Sequence, residues 1–126
     1  MTLRIIVCLC LATLWTTTTA VAQEPATAKY SQKTLLKNWA LSRCLAQIAP
    51  DEASRNDANA TAAAYLEFGH QPIETYEAID QLAATFIKRE YVGSIKSPYN
   101  TMKCIDLFHS RELDLATRSK AGASPR

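Results

Sequence analysis

Only two cysteines, Cys44 and Cys104, lie beyond residue 22, and the bond they can form constrains this chain more than any other feature. The other two, Cys8 and Cys10, sit in an amino-terminal segment with the layout of a secretory signal. Arg4 supplies a positive start, residues 5–15 form an apolar run, and residues 16–22 are small or polar and end in Ala20-Val21-Ala22 before Gln23. That ending is an A-x-A cleavage pattern. The apolar run is far shorter than the ~20 residues a membrane-spanning helix needs, so cleavage after Ala22 is expected rather than a retained anchor. Bulky Val7 and Leu9 precede Cys8 and Cys10, which is not the small-residue context of a lipid-modified cysteine. Both leave with the signal.

Export places the remaining pair in an oxidising compartment, where an even number of thiols is expected to be bonded. Closing a loop of about sixty residues stabilises a fold by roughly 4 kcal/mol in the chain-entropy model, comparable to the whole stability of a small domain. A metal site is the rival use. There is no C-x-x-C pair, and only His70 and His109 could join the cysteines, so neither metal nor cofactor is expected. Removing 22 of 126 residues leaves 104, and takes one of 14 basic residues (Arg4) while keeping all 12 acidic ones, a formal charge of +1. The missing basic excess argues against a nucleic-acid or membrane-surface partner. A chain of this size is one small domain: a polar lead over 23–30, a helical domain over 31–118 and a loose tail over 119–126.

Hydrophobic spacing makes that domain all-α. Ser31 is placed to cap a helix whose Leu41, Cys44, Leu45 and Ile48 share a face, extended backward by Leu35, Leu36 and Trp39, and Pro50 ends it. Ser54-Arg55-Asn56-Asp57 resembles a capping box for a second helix with a narrow, alanine-rich face of Ala58, Ala62, Tyr65 and Leu66, stopped near Gly69. Pro72 suits the first position of a third helix, with Glu74 and Glu77 toward its positive end. Tyr76, Ile79, Ala83, Phe86 and Ile87 line its apolar side, and Gly93 is expected to terminate it. Asn100 is placed to cap a fourth helix, to about Ser110, in which Cys104, Leu107 and Phe108 share a face. A last short turn covers 112–115. The expected architecture is a small helical bundle of four main helices plus a short C-terminal helix, clamped by one disulfide between the first helix and the fourth.

Catalytic chemistry finds little support. Asp106, His109 and Ser110 suggest an acid-histidine-serine group, but adjacent residues on a helix point about 100° apart, so Ser110 cannot face the His109 ring. Asp106 and His109 are better explained as a local helix pair, and His70, beside Gly69, as a loop residue. Asn59-Ala60-Thr61 is a sequon inside a helix and is expected to be idle. One stretch has no helical face to bury it: Gly93, Ser94, Ile95, Lys96, Ser97, Pro98 and Tyr99, flanked by Tyr91 and Val92. Apolar Ile95 and Tyr99 on such a loop either meet a partner's cleft or fold back onto the bundle.

Three segments carry a family resemblance. The runs Asn100-Thr101-Met102-Lys103-Cys104-Ile105-Asp106-Leu107-Phe108-His109-Ser110, Leu36-Lys37-Asn38-Trp39-Ala40-Leu41-Ser42-Arg43-Cys44-Leu45-Ala46 and Ala63-Ala64-Tyr65-Leu66-Glu67 resemble the periplasmic immunity proteins that neutralise the fourth family of type VI secretion amidase effectors. The likeness spans about residues 33–115. It implies a non-enzymatic inhibitor in the periplasm, a small all-helical homodimer whose partner is a cognate peptidoglycan amidase. In that family a loop of one subunit enters the enzyme's groove and a helix of the other contributes. Residues 93–99 best fit the inserting loop. Two other classes compete: a periplasmic helical chaperone or envelope-assembly factor, and a small hydrolase.

Overall fold

In a computed structural model the described residues are 22–118. The expected signal up to residue 21, with Cys8 and Cys10, and the expected tail from 119 lie outside them. A single 3-10 turn, Ala26–Lys29, precedes five α-helices: α1 Gln32–Ile48, α2 Glu52–Glu67, α3 Ile73–Ile87, α4 Asn100–His109 and α5 Arg111–Arg118. No strand occurs among the described residues. The expected all-α bundle, with its short fifth helix, is what forms.

The first two helices start where a side chain can take an orphan N–H. Ser31 caps α1, its Oγ accepting from the Thr34 N–H at 3.1 Å. For α2 the cap is Asp51, whose carboxylate accepts from the Ser54 N–H at 2.8 Å and the Ser54 hydroxyl at 2.9 Å. The Ser54 capping box is therefore corrected: an aspartate directly after Pro50 begins the helix three residues earlier. Pro72 takes the cap position of α3, one residue before the first helical one. Its missing N–H costs nothing there.

α1 is the spine. It packs against every other helix, whereas α2 lies chiefly on α1. Leu36, Trp39, Ala40 and Cys44 from α1 meet Tyr76, Ile79, Ala83 and Phe86 from α3, Cys104 and Leu107 from α4, and Leu113 from α5. Trp39 and Tyr76 pack edge to face with ring centroids 4.9 Å apart. At the centre Cys44 and Cys104 are bonded and fully buried, with Cα atoms 5.6 Å apart. On α2 only Ala62 is buried, and Leu66 is left exposed.

Polar clamps fix the layers. The Arg43 guanidinium donates two bonds to Asp80 on α3, at 3.1 and 3.0 Å, and one to Asn59 on α2 at 2.8 Å. The Gln32 amide donates to the Phe68 carbonyl at 2.9 Å and accepts from the His70 N–H at 2.8 Å, tying the α2–α3 turn to the start of α1. Asp114 of α5 bonds Lys37 at 3.1 Å and Lys33 at 3.3 Å on α1. Those two lysines hold its carboxyl below the ordinary carboxylate range.

Candidate partner-binding loop

α3 ends at Ile87, not at Gly93. The Lys88 N–H still reaches the Ala84 carbonyl and the Arg89 N–H the Phe86 carbonyl, and Arg89 then lays its guanidinium 3.4 Å from the Phe86 ring centroid. The final carbonyl, Ile87, accepts from the Lys103 ammonium at 3.1 Å. A cation reaching across from α4 thus satisfies the last carbonyl of the helix, a contact that no residue near the helix end discloses. Lys103 also donates to Asn100 Oδ1 at 3.1 Å. Asn100 is the first residue of α4 rather than its cap, and its side chain serves that ammonium.

Between these stems the chain runs irregularly through residues 88–99. Its start is held by Tyr91, whose hydroxyl donates to Asp106 at 2.6 Å on α4. That hydrogen bond to a carboxylate pushes the Tyr91 phenol above its ordinary range. Asp106 therefore pairs with Tyr91, not with His109. Ser110 is also spoken for, donating to the Leu107 carbonyl at 2.7 Å and accepting from the Leu113 N–H at 3.1 Å. The imagined acid-histidine-serine group is not assembled.

The loop closes on Tyr99. This residue adopts a left-handed backbone, φ 52° and ψ 33°, an uncommon conformation for a side chain of its size. It turns the chain sharply into α4. Its hydroxyl donates to the Ile95 carbonyl, and its N–H donates to Ser97 Oγ at 3.3 Å. Gly93 lies directly against the ring, where any Cβ would overlap the phenol. Gly93 is required by this close approach rather than by its backbone angles, since no glycine among the described residues has a positive φ.

Of the seven expected loop residues only Tyr99 turns partly inward; the other six, Gly93 included, face out. Tyr99 is half-buried, while Ser94, Ile95, Lys96, Ser97 and Pro98 are exposed, Ile95 to 74 %. Val92, fully exposed at 99 %, stands beside them and was not among the expected site residues. Next to Tyr99 and Pro98, the outer face of α4 adds half-exposed Met102 and Ile105, which line a groove with them. The signal for that second stripe was present, because Met102 and Ile105 are three apart and off the Cys104–Leu107 face. Among the described residues no helix is long and apolar enough to cross a membrane.

The model of a family described as type VI secretion system amidase immunity protein matches residues 34–117. The chain is similar to one in the structure of the effector–immunity system Tae4/Tai4 from Salmonella typhimurium, at 52% identity and a TM-score of 0.75, covering 79% of this chain and 98% of that one. It is 36% identical to a chain from a structure on type VI-secreted toxins and self-resistance proteins in Serratia marcescens, at a TM-score of 0.72, covering 79% and 84%. The Tae4–Tai4 effector–immunity complex from Enterobacter cloacae matches at 28% identity and a TM-score of 0.70, covering 78% and 100%. No curated protein matches the chain significantly. With most of the helical domain inside the family model, the chain belongs to the type VI secretion amidase immunity protein family.

Proposed function

We propose that this protein is a periplasmic immunity protein that binds a peptidoglycan amidase effector and inhibits it by placing residues 93–99 in the enzyme's active-site groove. It is not an enzyme; its action is stoichiometric. Membership of the immunity family supports the inhibitory role, and the solved relatives come from effector–immunity systems. The observation that favours the loop is its combination of closure and exposure: Tyr99 braces it from within while Ile95 and Val92 face outward. A braced loop loses less conformational entropy on docking, and a groove shaped for an extended peptide can be filled by it without reaction. The protein is read as exported through its signal and as acting as a homodimer.

Titrating mature protein against a cell-wall amidase tests this reading. Inhibition should reach its end point at one chain per enzyme. Replacing Val92 and Ile95 together with alanine should weaken inhibition roughly thirtyfold, or about 2 kcal/mol, without lowering the melting temperature. An unchanged inhibition constant in that variant would place the contact elsewhere. Sedimentation of the free protein measures the dimer.

A further inference from the structure

We propose that Lys103 is the positioning residue that sets the shape of the inhibitory loop from both ends at once. The proposal deepens the reading of residues 93–99 as the amidase-facing element and rests on it. Lys103 is only 7 % exposed, and lysine is rarely buried unless its charge is matched. Among the described residues no carboxylate lies within salt-bridge distance of it. Its ammonium is held instead by two neutral oxygens, the Ile87 carbonyl and Asn100 Oδ1, each at 3.1 Å. Taking a cation out of water onto neutral oxygens costs more than placing an apolar side chain of the same length there. Bundle stability alone does not call for a lysine at this position.

Its partners supply the reason. Ile87 is the last residue of α3 and Asn100 the first of α4, so the whole stretch 88–99 is strung between two groups that meet on one nitrogen. The two oxygens can be no further apart than twice 3.1 Å. The same ammonium lies 6.0 Å from the centroid of the Tyr91 ring, whose hydroxyl is tied to Asp106, about one helical turn beyond Lys103. Tyr99 and Gly93 then close the tip. With its ends clasped and its tip braced, the loop presents one shape, and apparent affinity scales with the fraction of molecules in that shape.

Lys103→Met keeps the side chain's length and removes the clasp; Asn100→Ala removes one partner and leaves the buried ammonium in place. Three quantities are read on mature protein: tryptic cleavage after Lys96, melting temperature and the amidase inhibition constant. In Lys103→Met, cleavage after Lys96 should be about tenfold faster and inhibition about tenfold weaker, with the melting temperature within about 3 °C of the parent. Asn100→Ala should move both in the same direction by less, and it carries the test if Lys103→Met does not fold. Unchanged cleavage overturns the clasp, as does a loss of inhibition that merely tracks the melting temperature. Faster cleavage with unchanged inhibition, in a protein where the Val92 and Ile95 substitutions are also silent, overturns the loop's inhibitory role and leaves Lys103 a purely structural clasp.

Discussion

Gly69 illustrates how a neighbour, not a backbone angle, can demand a glycine. It follows α2 with its N–H on the Leu66 carbonyl at 3.0 Å, and a Cβ there would overlap the Tyr76 hydroxyl. The Tyr76 ring cannot swing aside, because it is buried edge to face on Trp39. Gly69→Ala should therefore destabilise the protein by about 1–3 kcal/mol in urea unfolding, and Tyr76→Phe in that background should recover part of the loss. A neutral Gly69→Ala would mean that the ring has more room than its packing indicates. Carboxylates set the acid limit in the same local way. Asp51 is lowered below 3.8 by the Ser54 N–H, and Asp114 by Lys37 and Lys33. A carboxyl with a depressed folded-state pKa stabilises the fold fully above its unfolded value and stops doing so as pH falls through the folded value. Stability should thus be level from neutral pH to about pH 5 and fall below about pH 4, and Asp114→Asn should make that fall shallower. Unfolding midpoints measured between those limits check the sign.

Elements differ in how far their own sequence explains them. α5 is the extreme case, a helix of eight residues that cannot persist alone. Leu113 pins it, fully buried among residues of the core, and Ser110 caps it through the Leu113 N–H. Ser110→Ala should cost about 1 kcal/mol by urea denaturation, and Leu113→Ala about 2–5 kcal/mol, since the latter leaves a cavity. The reverse order would mean that α5 is held by its cap and its lysine contacts rather than by packing. α1 and α3 were legible in advance because their buried residues repeat at helical spacing, and Ser31 was legible because its partner is three residues away. α2 began early because Asp51 beside Pro50 reads as a linker until its carboxylate is seen on Ser54. The end of α3 was hidden for a deeper reason: its last carbonyl is met by Lys103, sixteen residues downstream and on another helix. The loop could be located from its lack of any helical face. Its closure around Tyr99 and the contact of Gly93 with that ring involve a left-handed residue that no local pattern announces.

At the scale of the whole molecule, the Cys44–Cys104 bond joins α1 to α4 across 60 residues and lies wholly inside the core. Closing a loop of that length stabilises the fold by about 4 kcal/mol in the chain-entropy model, against a total of roughly 5–15 kcal/mol for a domain of this size. Cys104→Ser should accordingly lower the melting temperature by well over ten degrees, and the intact mass of the parent should rise by two hydrogens on reduction. The bond also bears on where the proposed inhibitor can work. On the proposed export through residues 1–22, a chain lacking them stays in a reducing compartment, both away from a cell-wall enzyme and without its bridge. Cells expressing that truncated form should lose protection against an amidase delivered to the periplasm. Purification separates the two causes: the truncated protein, oxidised in vitro, should inhibit the amidase as well as the exported form does, whereas the same protein kept reduced should melt far lower. Protection that persists without the leader would contradict the periplasmic assignment. Equal stability of the reduced and oxidised proteins would show that α1 and α4 are held by packing alone, and the oxidising compartment would then matter only as the place where the enzyme is met.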